Sequence, residues 1–185
     1  MAERFESDQW VPYPVELVFA FFANPANLPY MFPPLLQTRI EDLRLAAAPP
    51  RPLAADPGRR FKSVAAGVGS EVLISFIPVI WAPRRVSWMA RITEFEWNSH
   101  FADEQARGPF KLFRHRHGIE AETREGCEGT RVSDAIEFEL PDWVAWAGSW
   151  LVRRRMTKTF AYRQKVLLEI LRTAARQAKK AESRE

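Results

Sequence analysis

The chain has 185 residues, 46% hydrophobic, 27% charged and 12% aromatic, the balance of one globular domain with a core of its own. No apolar run reaches the ~18 residues of a membrane span, and the charged start, with Glu3, Arg4, Glu6 and Asp8, is unlike a secretory leader. A single cysteine, Cys127, excludes an internal disulfide and a cysteine metal cage, which leaves the cytoplasm as the expected compartment.

The net charge of +4 hides a split, because residues 151–185 hold 11 Lys/Arg against 3 Asp/Glu while the first 150 hold 16 against 20. The basicity therefore belongs to the C-terminal segment, which argues against a nucleic-acid binder.

Residues 3–11 alternate, with Phe5, Ser7, Gln9 and Val11 on one side, and predict a first strand closed by Pro12 and Pro14. Two short helices are expected next, near 14–23 and 25–31, the second started by Asn24-Pro25 and stopped by Pro29, Pro33 and Pro34. A strand follows over Gln37–Leu45. Residues 46–60, with four prolines, form the one long loop, expected as a lid or rim. Five further strands are predicted over Gly69–Ile77, Arg85–Trp97, His100–Arg107, Phe110–Glu122 and Thr130–Leu140. Tight hairpins are placed at Gly108-Pro109 and at Gly126-Cys127-Glu128-Gly129.

From about Trp143 to Ala178 the period becomes helical. Val152, Met156, Phe160, Leu167, Ile170 and Ala174 form an apolar stripe, and Arg154, Arg155, Lys158, Lys165, Arg172, Arg176, Lys179 and Lys180 lie opposite. Residues 178–185 are expected as a disordered basic tail. One strand, two short helices, six strands and a long helix make an α+β arrangement: a seven-stranded curved antiparallel sheet closed by the helix, in one domain with room for a cavity.

Residues that can carry chemistry cluster on the hairpin strands. His115 and His117 share a face with Phe113, and Phe101, Asp103 and Gln105 share another. If Arg107 pairs with Lys111 across the turn, Asp103 stands opposite His115 and Gln105 opposite Phe113. Asp134 sits on the otherwise apolar face of Val132, Ile136 and Phe138, so it should look inward. Three chemistries compete: a His-x-His metal site, an Asp–His acid–base pair, and a hydrogen-bonded polar patch that joins two strands or orients a ligand's polar end. The third is adopted, with no metal and no cofactor. Arg163 lies inside the apolar stripe, where it either meets a carboxylate of the patch or a ligand, or snorkels at the margin. Cys127, in a glycine-flanked turn with no neighbouring His, is given no nucleophilic role.

The motif Phe101-x-Asp103-x-Gln105-x-x-Gly108-Pro109-Phe110-x-x-Phe113-x-His115-x-His117 is followed by Gly129-Thr130-x-Val132-x-Asp134 and then Leu140-Pro141. With the Val11-to-Pro25 strand-to-helix entry, this series resembles the START-like helix-grip (SRPBCC) superfamily. Within it the series is most similar to the polyketide cyclase/dehydrase and coenzyme Q-binding branch, in a bacterial subgroup of ligand-binding domains. Phe113 departs from the Trp usual there. The resemblance implies carriage of a small to medium hydrophobic ligand (lipid, quinone or polyketide-like) between sheet and helix. Phe101, Asp103, Gln105, Phe113, His115, His117, Asp134, Met156, Phe160 and Arg163 are the expected contacts. The alternative it implies is a cyclase or dehydratase using His115 or His117 with Asp103 or Asp134. The basic helix face adds an expected weak contact with anionic membrane.

Overall fold

The computed structural model describes residues 2–54, 56, 59, 61, 63–78 and 84–182, with the side chains of 143–147 and 177–182 outside the description. Strand β1 (Glu3–Val11) leads into helix α1 (Val15–Phe22) and two 3-10 turns, Pro25–Met31 and Pro34–Leu36. Strands β2 (Arg39–Arg44), β3 (Glu71–Phe76), β4 (Val86–Glu96), β5 (His100–Arg107), β6 (Leu112–Arg124) and β7 (Cys127–Glu139) follow, and helix α2 (Asp142–Glu182) closes the chain. The seven strands form one antiparallel sheet in the order β1-β7-β6-β5-β4-β3-β2. The α+β helix-grip architecture expected from the element order is the one observed.

Four expectations need correction. The second short helix is a 3-10 segment, because Pro29 inside it lacks an N–H to continue an α-helical ladder. The β6–β7 turn is only Glu125-Gly126, both at positive φ (49° and 76°), the two-residue connection that a twisted hairpin favours. Cys127, Glu128 and Gly129 are therefore strand residues. Gly129 is needed there for closeness, since a Cβ would come within 2.4 Å of the Trp10 ring and 2.6 Å of the Val11 carbonyl. Residues 178–182 continue α2, a run of Ala, Lys and Glu with no breaker; residues 183–185 of the expected tail lie outside the described residues. The long loop, in its described part, is strapped to the sheet rather than set over an opening. Trp97 Nε1 donates to the Pro49 carbonyl at 2.8 Å, and the Arg51 guanidinium sits 4.4 Å from the Trp97 ring.

Alternation on β6 and β7 decides what faces α2. Phe113, His115, His117 and Ile119 are buried from one strand, and Thr130, Val132, Asp134, Ile136 and Phe138 from the other. On the opposite face Arg114 and Arg116 reach Glu94 in exposed ion pairs. Helix α2 docks through two apolar clusters. Leu167 and Leu171 join Val11, Phe19, Ile119 and Val132, while Phe160 joins Phe113, Ile136, Phe138 and Leu140. Gln164 adds polar registration to the edge strand: its Nε2 donates to Ser7 Oγ and the Asp8 carbonyl, each at 3.1 Å, and Gln9 Nε2 donates to the Gln164 carbonyl at 2.9 Å.

Candidate functional site

Between the sheet, the 3-10 segment and α2 lies a cavity of about 590 Å³. Its walls are mainly aromatic and aliphatic, including Phe22, Met31, Trp88, Phe110, Phe113 and Phe160. Leu151 (50% exposed) and the exposed Arg155 also line it, so it opens to solvent along the first third of α2. Phe110 and Phe113 pack with centroids 5.2 Å apart, and Trp88 stands edge-on to Phe113 at 4.4 Å, preferred geometries for aromatic pairs.

The inner end is polar. Pairing of Phe101 with His117 and of Asp103 with His115 on β5–β6, and of His117 with Asp134 on β6–β7, brings these side chains to one place. Asp134 Oδ1 lies 2.9 Å from His115 Nε2, 2.8 Å from His117 Nδ1 and 3.3 Å from Arg163 Nη2. A bare ring nitrogen would repel a carboxylate oxygen at such distances, so both imidazoles are assigned as donors to it. The 3.2 Å contact between Arg163 Nη2 and His117 Nδ1 is then two cationic donors sharing one acceptor. The second nitrogen of His117 is 3.6 Å from Asp103 Oδ1. Phe101 stacks on the His117 ring at 4.3 Å, and the two imidazoles lie 3.8 Å apart. Phe22 and Phe160 rings flank the guanidinium at 4.8 and 5.2 Å, so Arg163 is held inside by an ion pair and two aromatic faces.

Burial works against charge on all three central groups, and they resolve it differently. On His115 burial wins, aided by the charge of His117, and the imidazole is held down at about 4 despite Asp134. On His117 burial also opposes the charge, but the pull of Asp103 and Asp134 outweighs it and raises the pKa. Burial opposes ionisation of Asp134 too, yet the Arg163 charge and the two imidazole donors hold it well below the usual carboxylate range. Two imidazoles whose centroids lie 3.8 Å apart are thus shifted in opposite directions.

Of the ten residues singled out in the sequence, eight line the cavity: Phe101, Asp103, Phe113, His115, His117, Met156, Phe160 and Arg163. Asp134 lies behind the histidines, lining only a small void with Arg163 and Gln164. Gln105 is spent elsewhere. Its amide donates to the Phe110 carbonyl at 2.8 Å and its Oε1 accepts from the Phe110 N–H at 3.2 Å, bracing the hairpin turn. The pairing of β5 with β6 runs only from His100 to Glu104, so Gln105 never faces Phe113. Aromatics near the helix entry and on the strands are expected from the sequence as walls, and Phe22, Trp88 and Phe110 are the ones, unnamed there, that join the lining. The dense aromatic content of these segments was the available signal.

Asp103, His115 and His117 offer three ligand atoms within 4.8 Å of one another. The fit to a metal is poor on charge. Arg163 already brings a cation to 3.2 Å from His117, and Asp134 already engages one nitrogen of each ring.

No family model matches the chain, and no curated protein matches its sequence. Solved structures do match. Ara h 8.0201 aligns over 91% of this chain and 99% of its own, with a TM-score of 0.55 and 13% identity. TTHA0849 from Thermus thermophilus gives 0.56 at 18% identity over 93% and 99%. Ginseng major latex-like protein 151 from Panax ginseng gives 0.57 at 9% over 91% and 96%. At these identities the shared property is the helix-grip fold.

Proposed function

We propose that this chain is a carrier of a small to medium apolar ligand, in the lipid, quinone or polyketide-like range, held between sheet and α2 without chemical change. The observation that supports this reading best is the aromatic-walled cavity of about 590 Å³ with one polar end, the form ligand sites take. In this reading the Asp103, His115, His117 and Arg163 end orients the ligand and the aromatic walls supply affinity. No metal or cofactor takes part. The similarity in motif to the polyketide cyclase/dehydrase and coenzyme Q-binding branch points to the same ligand range. Native mass spectrometry of purified protein, with extraction of what is bound, tests it: one apolar molecule per chain is expected, and a water-soluble metabolite in its place would refute it.

A second reading is favoured by one observation, two imidazoles 3.8 Å apart at the cavity wall whose surroundings shift their pKa values in opposite directions. Such a pair suits acid–base work, so the alternative is a cyclase or dehydratase on a carbonyl substrate, with Asp134 as the orienting group. Turnover of a polyketide-like substrate that disappears in both His115→Ala and His117→Ala would promote this reading.

We further propose weak contact with anionic membrane beside the opening. Arg154, Arg155 and Lys158 are exposed there, next to Trp150 (66% exposed) and Leu151, and each well-placed basic residue contributes about 1 kcal/mol. Co-sedimentation with anionic vesicles at low salt, lost at physiological salt and absent with neutral vesicles, is the expected result. No association at low salt would leave these residues as solvated surface.

A further inference from the structure

The polar end of the cavity is electrically closed on itself. Asp103 and Asp134 supply two negative charges, and Arg163 and His117 supply two positive ones. His117 has a carboxylate oxygen at each ring nitrogen, 2.8 Å at Nδ1 and 3.6 Å at Nε2, the arrangement of an imidazolium. Arg163 spends its charge on Asp134 at 3.3 Å. His115 is buried with a carboxylate oxygen at one ring nitrogen, Asp134 Oδ1 at 2.9 Å from Nε2, the arrangement of a neutral imidazole donor. We propose that the buried head of the ligand is uncharged, a hydroxyl or carbonyl oxygen on an apolar body, and that carboxylates and amines are rejected. This rests on the carrier reading above.

The groups that face the cavity specify such a head. Among the described residues only Asp103, His115, His117, Arg155 and Arg163 are ionisable and line it; Asp134 is behind. Arg163 has five N–H donors and uses Nη2 on Asp134, so its remaining donors can meet a ligand oxygen. Among the described residues, Asp103 is an acceptor with only the longer His117 contact, at 3.6 Å. An alcohol, phenol or enol can accept from Arg163 and donate to Asp103, while a ketone or quinone uses the first contact alone. A carboxylate would add a third negative charge beside Asp103, and an ammonium a third positive charge beside Arg163. Neither has a counter-charge left, and an unpaired charge in an apolar site is costly. The remaining cation, Arg155, is exposed at the opening, where water screens it.

The test is calorimetric titration of the full chain with four probes of one ring system: 2-naphthol, 2-naphthoic acid, 2-naphthylmethylamine and 2-methylnaphthalene. It is run near about pH 6, where the acid and the amine are ionised and the naphthol is not. The expected order is naphthol tighter than either charged probe by at least about tenfold, and tighter than methylnaphthalene by a few fold. Arg163→Met leaves the set net negative and should shift the naphthol-to-amine ratio about tenfold toward the amine; Asp103→Asn leaves it net positive and should shift preference about tenfold toward naphthoate. Either variant reads the effect if the other fails to fold. Charged probes binding as tightly as naphthol, or ratios unmoved in the folded variant, would overturn the proposal while methylnaphthalene binding still upheld the carrier reading. Binding of none of the four would bring down both.

Discussion

Asp134 Oδ1 takes three donors, from His115, His117 and Arg163, and so ties both histidines to the helix arginine. Asp134→Asn removes the charge and turns part of the group into a donor, leaving a buried guanidinium and imidazolium facing each other. Breaking a buried pair in this way costs about 3–5 kcal/mol, which urea unfolding of the variant should read. A loss below about 1 kcal/mol would mean the cluster is solvated and weak. The same cluster sets a pH signature. Unfolded, His115 takes up its proton near about 6.5, but in the folded chain it stays neutral down to about 4. In that window the unfolded state binds more protons, so stability falls with falling pH, by up to about 1.4 kcal/mol per unit. His117, raised, contributes stability that is complete below the ordinary imidazole value and is lost as pH climbs through its folded value. Asp134, depressed, contributes above the ordinary carboxylate value and fails only in strong acid. Denaturation at a series of pH values should therefore peak near the ordinary imidazole pKa, and His115→Gln should flatten the limb on the acid side. A wild-type profile flat across that limb would contradict a neutral His115.

At the scale of elements, α2 is held by Leu167 and Leu171, 1% and 0% exposed, against β1, β6 and β7. Leu171→Ala should cost about 2–5 kcal/mol in unfolding free energy, whereas Lys165→Ala, on the exposed face, should change it by less than about 0.5 kcal/mol. Equal effects would mean that the helix is not seated as described. The strands were legible because residues on the two sheet faces alternate in polarity, and His100–Arg107 has the bounds its turn signals imply. The register that puts Asp103 opposite His115 followed from counting back from Gly108-Pro109. Leu171 escaped the stripe read from periodicity because the docked face is rotated toward Gln164, which β1 holds by hydrogen bonds. That rotation depends on the sheet, so helical period alone does not contain it. The β6–β7 turn was misplaced for a similar reason: Gly129 looks like a turn residue, but the nearby Trp10 ring is what requires it.

At the scale of the molecule, the sheet curves around α2 without filling the space beneath it, and the aromatic residues line a void instead of closing it. The inward histidines and Asp134 could be read in the sequence, because strand alternation assigns faces. That one carboxylate oxygen gathers both histidines and a helix arginine could not, since it depends on how deeply α2 sits. The diversion of Gln105 to the turn was equally hidden, because β5 leaves β6 after Glu104. The central claim is that the cavity accepts an apolar guest. Titration with the neutral fluorophore N-phenyl-1-naphthylamine, in the wild-type chain and in Ala90→Phe, a substitution that fills the cavity from β4, tests it most directly. Saturable one-to-one binding in the wild type, weakened at least about tenfold in a folded Ala90→Phe, is the result predicted. No binding in the wild type, or equal binding in the two, would contradict it.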